Sequence, residues 1–84
     1  MGQHIARLAA PKMKKLHLEL GGKDAFIVAD DADLDIAVPG VAWAALLNNG
    51  QVCTSIERIY VHRDAYAAFV DRFVELTRGY RLGN

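Results

Sequence analysis

Two side chains in this sequence have both the chemistry and the surroundings of catalytic groups. The first is Cys53, in the stretch Asn48–Ser55 that precedes an apolar run. Asparagine and glycine there allow a tight backbone with exposed N–H groups. Such a loop would leave a thiol accessible, favour its thiolate and let the Cys53 N–H bind an oxyanion. The alternative is that Cys53 is a small hydrophobic residue buried in a core.

The second candidate is Glu19, the only acid in the apolar stretch Leu16–Leu20. Desolvation in such a stretch disfavours the charged carboxylate and suits a general base. The alternative is a glutamate at the end of a strand that points to solvent. Gly21 and Gly22 follow, and they either let another molecule approach the backbone closely or form a plain turn.

No metal site is predicted. His4, His17 and His62 match no zinc-ligand spacing. Ile36 stands where a calcium loop that starts at Asp31 requires glycine.

The predicted strands that position these groups alternate with helices. Leu16–Leu20 alternates apolar with other residues, as a half-buried strand does. Ala25–Ala29 is continuously apolar, which predicts a strand covered on both faces. Ile56–His62 reads as a third strand. This order predicts an α/β unit that contains parallel pairing.

Three helices are predicted. A short one over Ile5–Ala10 stops before a proline, and a second is capped by Asp30–Asp33 and ends at an Asn-Asn-Gly stop. Pro39 either marks the true start of this second helix or kinks it. The third begins with Asp64 as its N-cap and closes at Gly79. Its apolar side chains fall at Tyr66, Phe69, Val70, Phe73, Val74 and Thr77.

Length and composition exclude several classes of protein. Eighty-four residues form at most one small unit, and 52% apolar residues exclude intrinsic disorder. Ten basic and ten acidic side chains disfavour nucleic-acid binding, and one cysteine excludes an internal disulfide framework. No apolar run is long enough for a membrane span, no signal peptide is visible, and we expect a cytoplasmic location. So few strands and helices cannot cover a sheet, so the chain resembles a slice of a larger protein.

The two candidate motifs together resemble the aldehyde dehydrogenase superfamily. Leu18–Lys23 is similar to its glutamate signature, and Glu19 precedes Cys53 by 34 positions, as is typical of the family. Asp31–Asp35 resembles its aspartate turn, and Arg58 falls where the family usually has arginine. The residues that resemble its cysteine signature are Asn48, Gly50, Gln51 and Cys53.

This resemblance implies a slice of a three-layer α/β fold. Residues 1–22 would be the C-terminal end of a Rossmann-like coenzyme-binding domain, and residues 23–84 the N-terminal part of a catalytic domain. Gly2 resembles the last glycine of the family's glycine motif, and the resemblance assigns Gly2, Leu20 and Gly21 to binding of NAD or NADP. It also implies a homo-oligomer in the full-length form.

The resemblance further implies oxidation of an aldehyde to a carboxylic acid within a longer enzyme. Cys53 would form a thioester with the substrate, and Glu19 would activate the water that hydrolyses it. Two other functions stay open. The chain could be a non-catalytic fragment or remnant that needs a partner to fold, or a small thiol redox protein, although it has no resolving cysteine.

Overall fold

A computed structural model describes residues 1–83 as helices alternating with strands, which confirms the predicted α/β class. The elements are α1 (Gly2–Ala9), β1 (Asp24–Val28), α2 (Leu34–Leu46), β2 (Ile56–Val61) and α3 (Arg63–Arg78). A 3₁₀ turn follows α1 over Ala10–Lys12, and another follows α2 over Leu47–Gly50.

The two strands pair in parallel, with α2 in the connection between them. Only one face of β1 is covered. Val28 is buried, whereas Ile27, which points to the other face, is 77% exposed. The prediction that this strand is covered on both faces is therefore wrong for the described residues. A strand has two faces, and α2 and α3 cover only one of them.

The core lies between the sheet and the two longer helices. Val28 from β1, Val38 and Val41 from α2, and Phe69 from α3 are buried together. Phe69 also stacks on Phe73, with ring centroids 5.7 Å apart. Both long helices therefore turn apolar side chains inward, as their sequence periodicity predicts, but Tyr66, which the predicted α3 stripe includes, is exposed.

The ends of the long helices follow ordinary capping chemistry, with one correction. Asp33 caps α2 as predicted, because its side chain accepts a hydrogen bond from the Asp35 N–H at 2.9 Å. The helix then runs through Pro39 instead of beginning there. The prediction of Asp64 as the cap of α3 is wrong, because His62 occupies that position and its Nδ1 accepts from the Asp64 N–H at 3.4 Å.

The N-terminal third differs most from the prediction. Helix α1 begins at Gly2, three residues earlier than predicted, and no strand forms over Leu16–Leu20. A strand is defined by hydrogen bonds to a neighbour, and among residues 1–83 only β1 and β2 pair. Leu18 and Leu20 instead lie against Gly2 of α1.

These elements form an open slab. The radius of gyration is 18.3 Å, compared with about 12 Å for a compact domain of this length. Large apolar side chains consequently remain uncovered on several surfaces, among them Ile27, Ile36 and Trp43.

Candidate active site

Cys53 lies in a short, tightly shaped loop between α2 and β2. Asn48 and Asn49 both adopt left-handed backbone conformations (φ 52° and 57°), and Gly50 follows with φ 74°. Asparagine and glycine tolerate this region better than other residues, so the sequence is suited to ending α2 abruptly here. Cys53 is exposed, so residues 1–83 by themselves do not bury it as the alternative of a small core residue would require.

A turn presents the Cys53 backbone. The Ser55 N–H donates to the Val52 carbonyl at 2.9 Å, so Cys53 is the second residue of a four-residue turn. The N–H of the second residue takes no part in the hydrogen bond that closes such a turn. The backbone amide at Cys53 therefore suits the predicted oxyanion donor.

Ser55 anchors this loop to the end of α2, a role that the sequence analysis missed. The Ser55 side chain is buried, and its hydroxyl donates to the Ala45 carbonyl at 3.1 Å. Helix ends leave carbonyl groups without intrahelical partners, and this serine satisfies one of them. A serine two residues after a candidate nucleophile is the only sequence signal that could have indicated the anchor.

The glutamate segment and the cysteine loop meet at Gly22. A side-chain carbon built on Gly22 would overlap the Cys53 carbonyl oxygen, so only glycine fits in the present arrangement. A side-chain carbon built on Gly21 would meet no other atom within 4 Å. The sequence predicts that a glycine here admits close approach by another group. For Gly22, that group is the backbone of Cys53 itself.

Both segments lie beyond the amino ends of the parallel strands. Gly22 precedes β1 by one residue, and Cys53 precedes β2 by two. In open α/β sheets, ligands usually bind beyond the carboxyl ends of the strands. The candidate site of this chain is therefore at the opposite end of the strands, their amino ends.

Glu19 is not brought into contact with Cys53. Its carboxylate bonds to the His17 ring at 2.9 Å, and its side chain is 84% exposed. The desolvation expected from its apolar neighbours is thus absent among the described residues, because the segment lies open without a covering layer. Gly22 lies three positions after Glu19, which limits the distance between their Cα atoms to about 11 Å.

The three residues assigned to the coenzyme by resemblance form a continuous path toward Cys53. Gly2 is buried at the start of α1, where an added side-chain carbon would lie 3.0 Å from a methyl carbon of Leu20. Gly21 follows Leu20 and leaves its backbone open. The path then reaches Gly22 and its contact with the cysteine loop.

Two further findings concern residues 1–83 as a whole. Over this range, no group of three or more His, Cys, Asp or Glu side chains is arranged to hold a metal ion. None of the helices described is both long enough and apolar enough to cross a membrane.

Comparison with known proteins assigns this arrangement to a family. The sequence profile of the "Aldehyde dehydrogenase family" matches residues 1–84. The chain is 51% identical over 83 residues to a D-glyceraldehyde dehydrogenase (NADP(+)) of Thermoplasma acidophilum, covering 99% of the chain but 17% of that relative.

Solved structures agree with the sequence match. A crystal structure of lactaldehyde dehydrogenase from Escherichia coli superposes with a TM-score of 0.90 at 43% identity, covering 98% of this chain and 17% of that one. PnpE in complex with nicotinamide adenine dinucleotide superposes with a TM-score of 0.92 at 41% identity and the same coverage. The chain thus spans about a sixth of the length of these proteins. On this evidence, it belongs to the aldehyde dehydrogenase family.

Proposed function

We propose that this chain is the part of a longer NAD(P)-dependent aldehyde dehydrogenase that carries the nucleophile and the general base. The observation that supports the proposal is the contact between Gly22 and the Cys53 carbonyl. It joins the segment that contains Glu19 to an exposed cysteine loop.

The chemistry proposed for Cys53 has two stages. Its thiolate attacks the aldehyde carbonyl, and the Cys53 N–H stabilises the oxygen that becomes negative. Loss of hydride from the adduct leaves a thioester on Cys53. Glu19 then takes a proton from water, the water oxygen attacks the thioester carbon, and the carboxylic acid leaves as the thiol is restored.

The coenzyme residues proposed are Gly2, Leu20 and Gly21. The open space beside Gly21 fits a backbone surface that a flat ligand could approach, and Leu20 connects this surface to the buried Gly2. When bound, NAD or NADP supplies the hydride acceptor. The boundary proposed between the coenzyme and catalytic domains, after residue 22, lies one residue before the start of β1 at Asp24.

The location proposed is the cytoplasm. The mechanism needs a free thiol, and Cys53 is exposed and therefore open to oxidation. Reducing compartments keep such thiols free.

Substitution of Cys53 tests the proposal in the full-length enzyme. Cys53→Ala should abolish aldehyde oxidation and leave coenzyme binding nearly intact, because only the covalent stage is lost. Coenzyme binding is measured by titration calorimetry and turnover by absorbance of the reduced coenzyme. Wild-type turnover by Cys53→Ala would refute the assignment of the nucleophile.

Substitution of Glu19 separates the two stages. Glu19→Gln should still form the thioester, so a rapid burst of reduced coenzyme precedes slow steady-state turnover. Stopped-flow fluorescence resolves the burst. Loss of both the burst and the turnover would show that Glu19 acts before the thioester forms, and not in its hydrolysis.

A further inference from the structure

An irregularity in the sheet lies directly beside the candidate site. Asp24 pairs with Ile56, but the next residue of β1, Ala25, pairs with Arg58, so Glu57 is an extra residue in β2. Successive side chains of a regular strand point to opposite faces, and an extra residue changes this alternation locally. Here both Glu57 and Arg58 reach the same residue across the sheet, Lys23.

Arg58 makes the more specific of these two contacts. Its Nε and Nη2 both donate to the Lys23 carbonyl, at 3.1 and 2.7 Å. Its Nη1 lies 3.4 Å from the Tyr60 hydroxyl, and the guanidinium carbon is 5.9 Å from the centre of that ring. The guanidinium is thus held on one side by Tyr60 while two of its N–H groups fix a single backbone oxygen.

The Lys23–Glu57 ion pair contributes less to holding these two segments together. Its two charged atoms are 2.6 Å apart, but both side chains are substantially exposed to solvent. Exposed ion pairs contribute at most about 1 kcal/mol, and they are weakened by salt. A role for this cluster therefore depends on Arg58.

The Lys23 carbonyl belongs to the residue directly after Gly22. Fixing this carbonyl fixes the backbone that presses Gly22 against Cys53, and Glu19 lies three residues before Gly22. The two bonds made by Arg58, together with the exposed Lys23–Glu57 pair, therefore link β2 to the segment that carries the general base, and only those of Arg58 hold its backbone.

We propose that Arg58 is a positioning residue for the deacylation step, which sets the placement of the Glu19 segment relative to the Cys53 thioester. The inference rests on the proposed function for its kinetic consequence, but the structural link can be tested without any turnover. In the proposed function, formation of the thioester requires Cys53, the aldehyde and NAD or NADP as the hydride acceptor, and it does not require Glu19. Loss of Arg58 should therefore affect the second stage more than the first.

The kinetic test uses three variants of the full-length enzyme. Arg58→Met should keep the burst of reduced coenzyme and lower steady-state turnover by about 10- to 100-fold, since a displacement of about 1 Å costs this much. KM should stay within about twofold of the wild-type value. Arg58→Lys should recover part of the turnover, because it keeps the charge and one donor group.

Arg72→Met is the matched control. Arg72 bonds to Asp35 at 2.6 Å between α3 and the first turn of α2, so this variant also loses a charge-assisted arginine contact, but at the end of α2 opposite the Cys53 loop. It should keep both the burst and the turnover. Equal losses in Arg58→Met and Arg72→Met would mean that Arg58 acts only on general stability, which overturns the proposal.

A double variant tests the step at which Arg58 acts. If Arg58 works through Glu19, Arg58→Met combined with Glu19→Gln should turn over within about twofold of Glu19→Gln alone. Multiplied losses would show an independent role and would overturn the inference. Turnover of Arg58→Met within about twofold of wild type would do the same.

Hydrogen exchange distinguishes failure of this inference from failure of the proposed function. In Arg58→Met, the peptide that contains Ser55 should exchange about tenfold faster, since two charge-assisted bonds that restrain the neighbouring segment are lost. Peptides of α3 should be unchanged. Wild-type turnover by Glu19→Gln would refute the proposed function. Faster hydrogen exchange in Arg58→Met would still support the link between Arg58 and the Lys23 carbonyl. Unchanged exchange at Ser55 would refute the link itself.

Discussion

Replacing Gly22 with alanine should disturb the site, because its methyl group would make the closest contact of any alanine placed at a described glycine. The new methyl would overlap the Cys53 carbonyl oxygen, whereas an ordinary contact needs at least 3.4 Å. Both partners are backbone, so neither can turn aside as a side chain would, and the segments must separate by about 1 Å. Overpacking of this kind costs about 1–3 kcal/mol in the free energy of unfolding, and a displacement of about 1 Å costs up to about 100-fold in turnover.

The assay compares glycine-to-alanine variants in the full-length enzyme. Gly40→Ala adds a methyl group on the exposed surface of α2 with no atom within 4 Å, and should leave turnover unchanged. Gly21→Ala also meets no atom within 4 Å, and should change the urea midpoint little. Gly22→Ala should lower both the midpoint and kcat. A Gly22→Ala enzyme with a wild-type kcat would show that the contact does not control the site.

Other substitutions test the packing, the caps and the open surfaces. Phe69→Ala should lower the free energy of unfolding by about 3–5 kcal/mol in urea titrations, because Phe69 is 3% exposed at the centre of the core; a loss below about 1 kcal/mol would contradict this packing. Asp33→Ala should cost about 1 kcal/mol through loss of the α2 cap, while Asp33→Asn should cost less. Ser55→Ala should free the Ala45 carbonyl, lower stability by about 1 kcal/mol and reduce kcat; an unchanged kcat would separate the anchor from the site. The isolated 84 residues should self-associate in light scattering and show no NAD binding by calorimetry, because large apolar side chains are uncovered; micromolar binding by a monodisperse monomer would refute this.

The elements predicted correctly are those whose signals are local. Helix α3 is set by its own apolar periodicity, and the stop of α2 by Asn48, Asn49 and Gly50. Both long helices and the two paired strands could therefore be found from neighbouring residues alone. The cap of α3 was assigned two residues late because His62 and Asp64 both carry suitable acceptors.

What could not be predicted depends on partners distant in the sequence. Leu16–Leu20 has the alternation of a strand, but a strand forms only beside another strand. The described sheet consists of β1 and β2, which pair with each other and not with Leu16–Leu20. Exposure of Glu19 has the same origin, since no layer covers its segment. The contact of Gly22 with Cys53 and the bonds from Arg58 to Lys23 cross more than 30 positions, and no local pattern encodes them.

Because the site lies at the amino ends of the strands, substitutions at their carboxyl ends should affect the stability of this protein and its turnover differently. β1 spans five residues, so the two ends of the strand are about 13–17 Å apart, and Gly22 and Cys53 lie beyond one of them. The far end holds the turn into α2 and the His62 cap of α3. Substitutions at that far end can change the melting temperature while the loop that contains Cys53 keeps its conformation. Mutational libraries confined to residues 29–33 and to His62 should therefore yield variants that differ in melting temperature but have the same kcat. Selection can then act on thermal stability and on turnover separately.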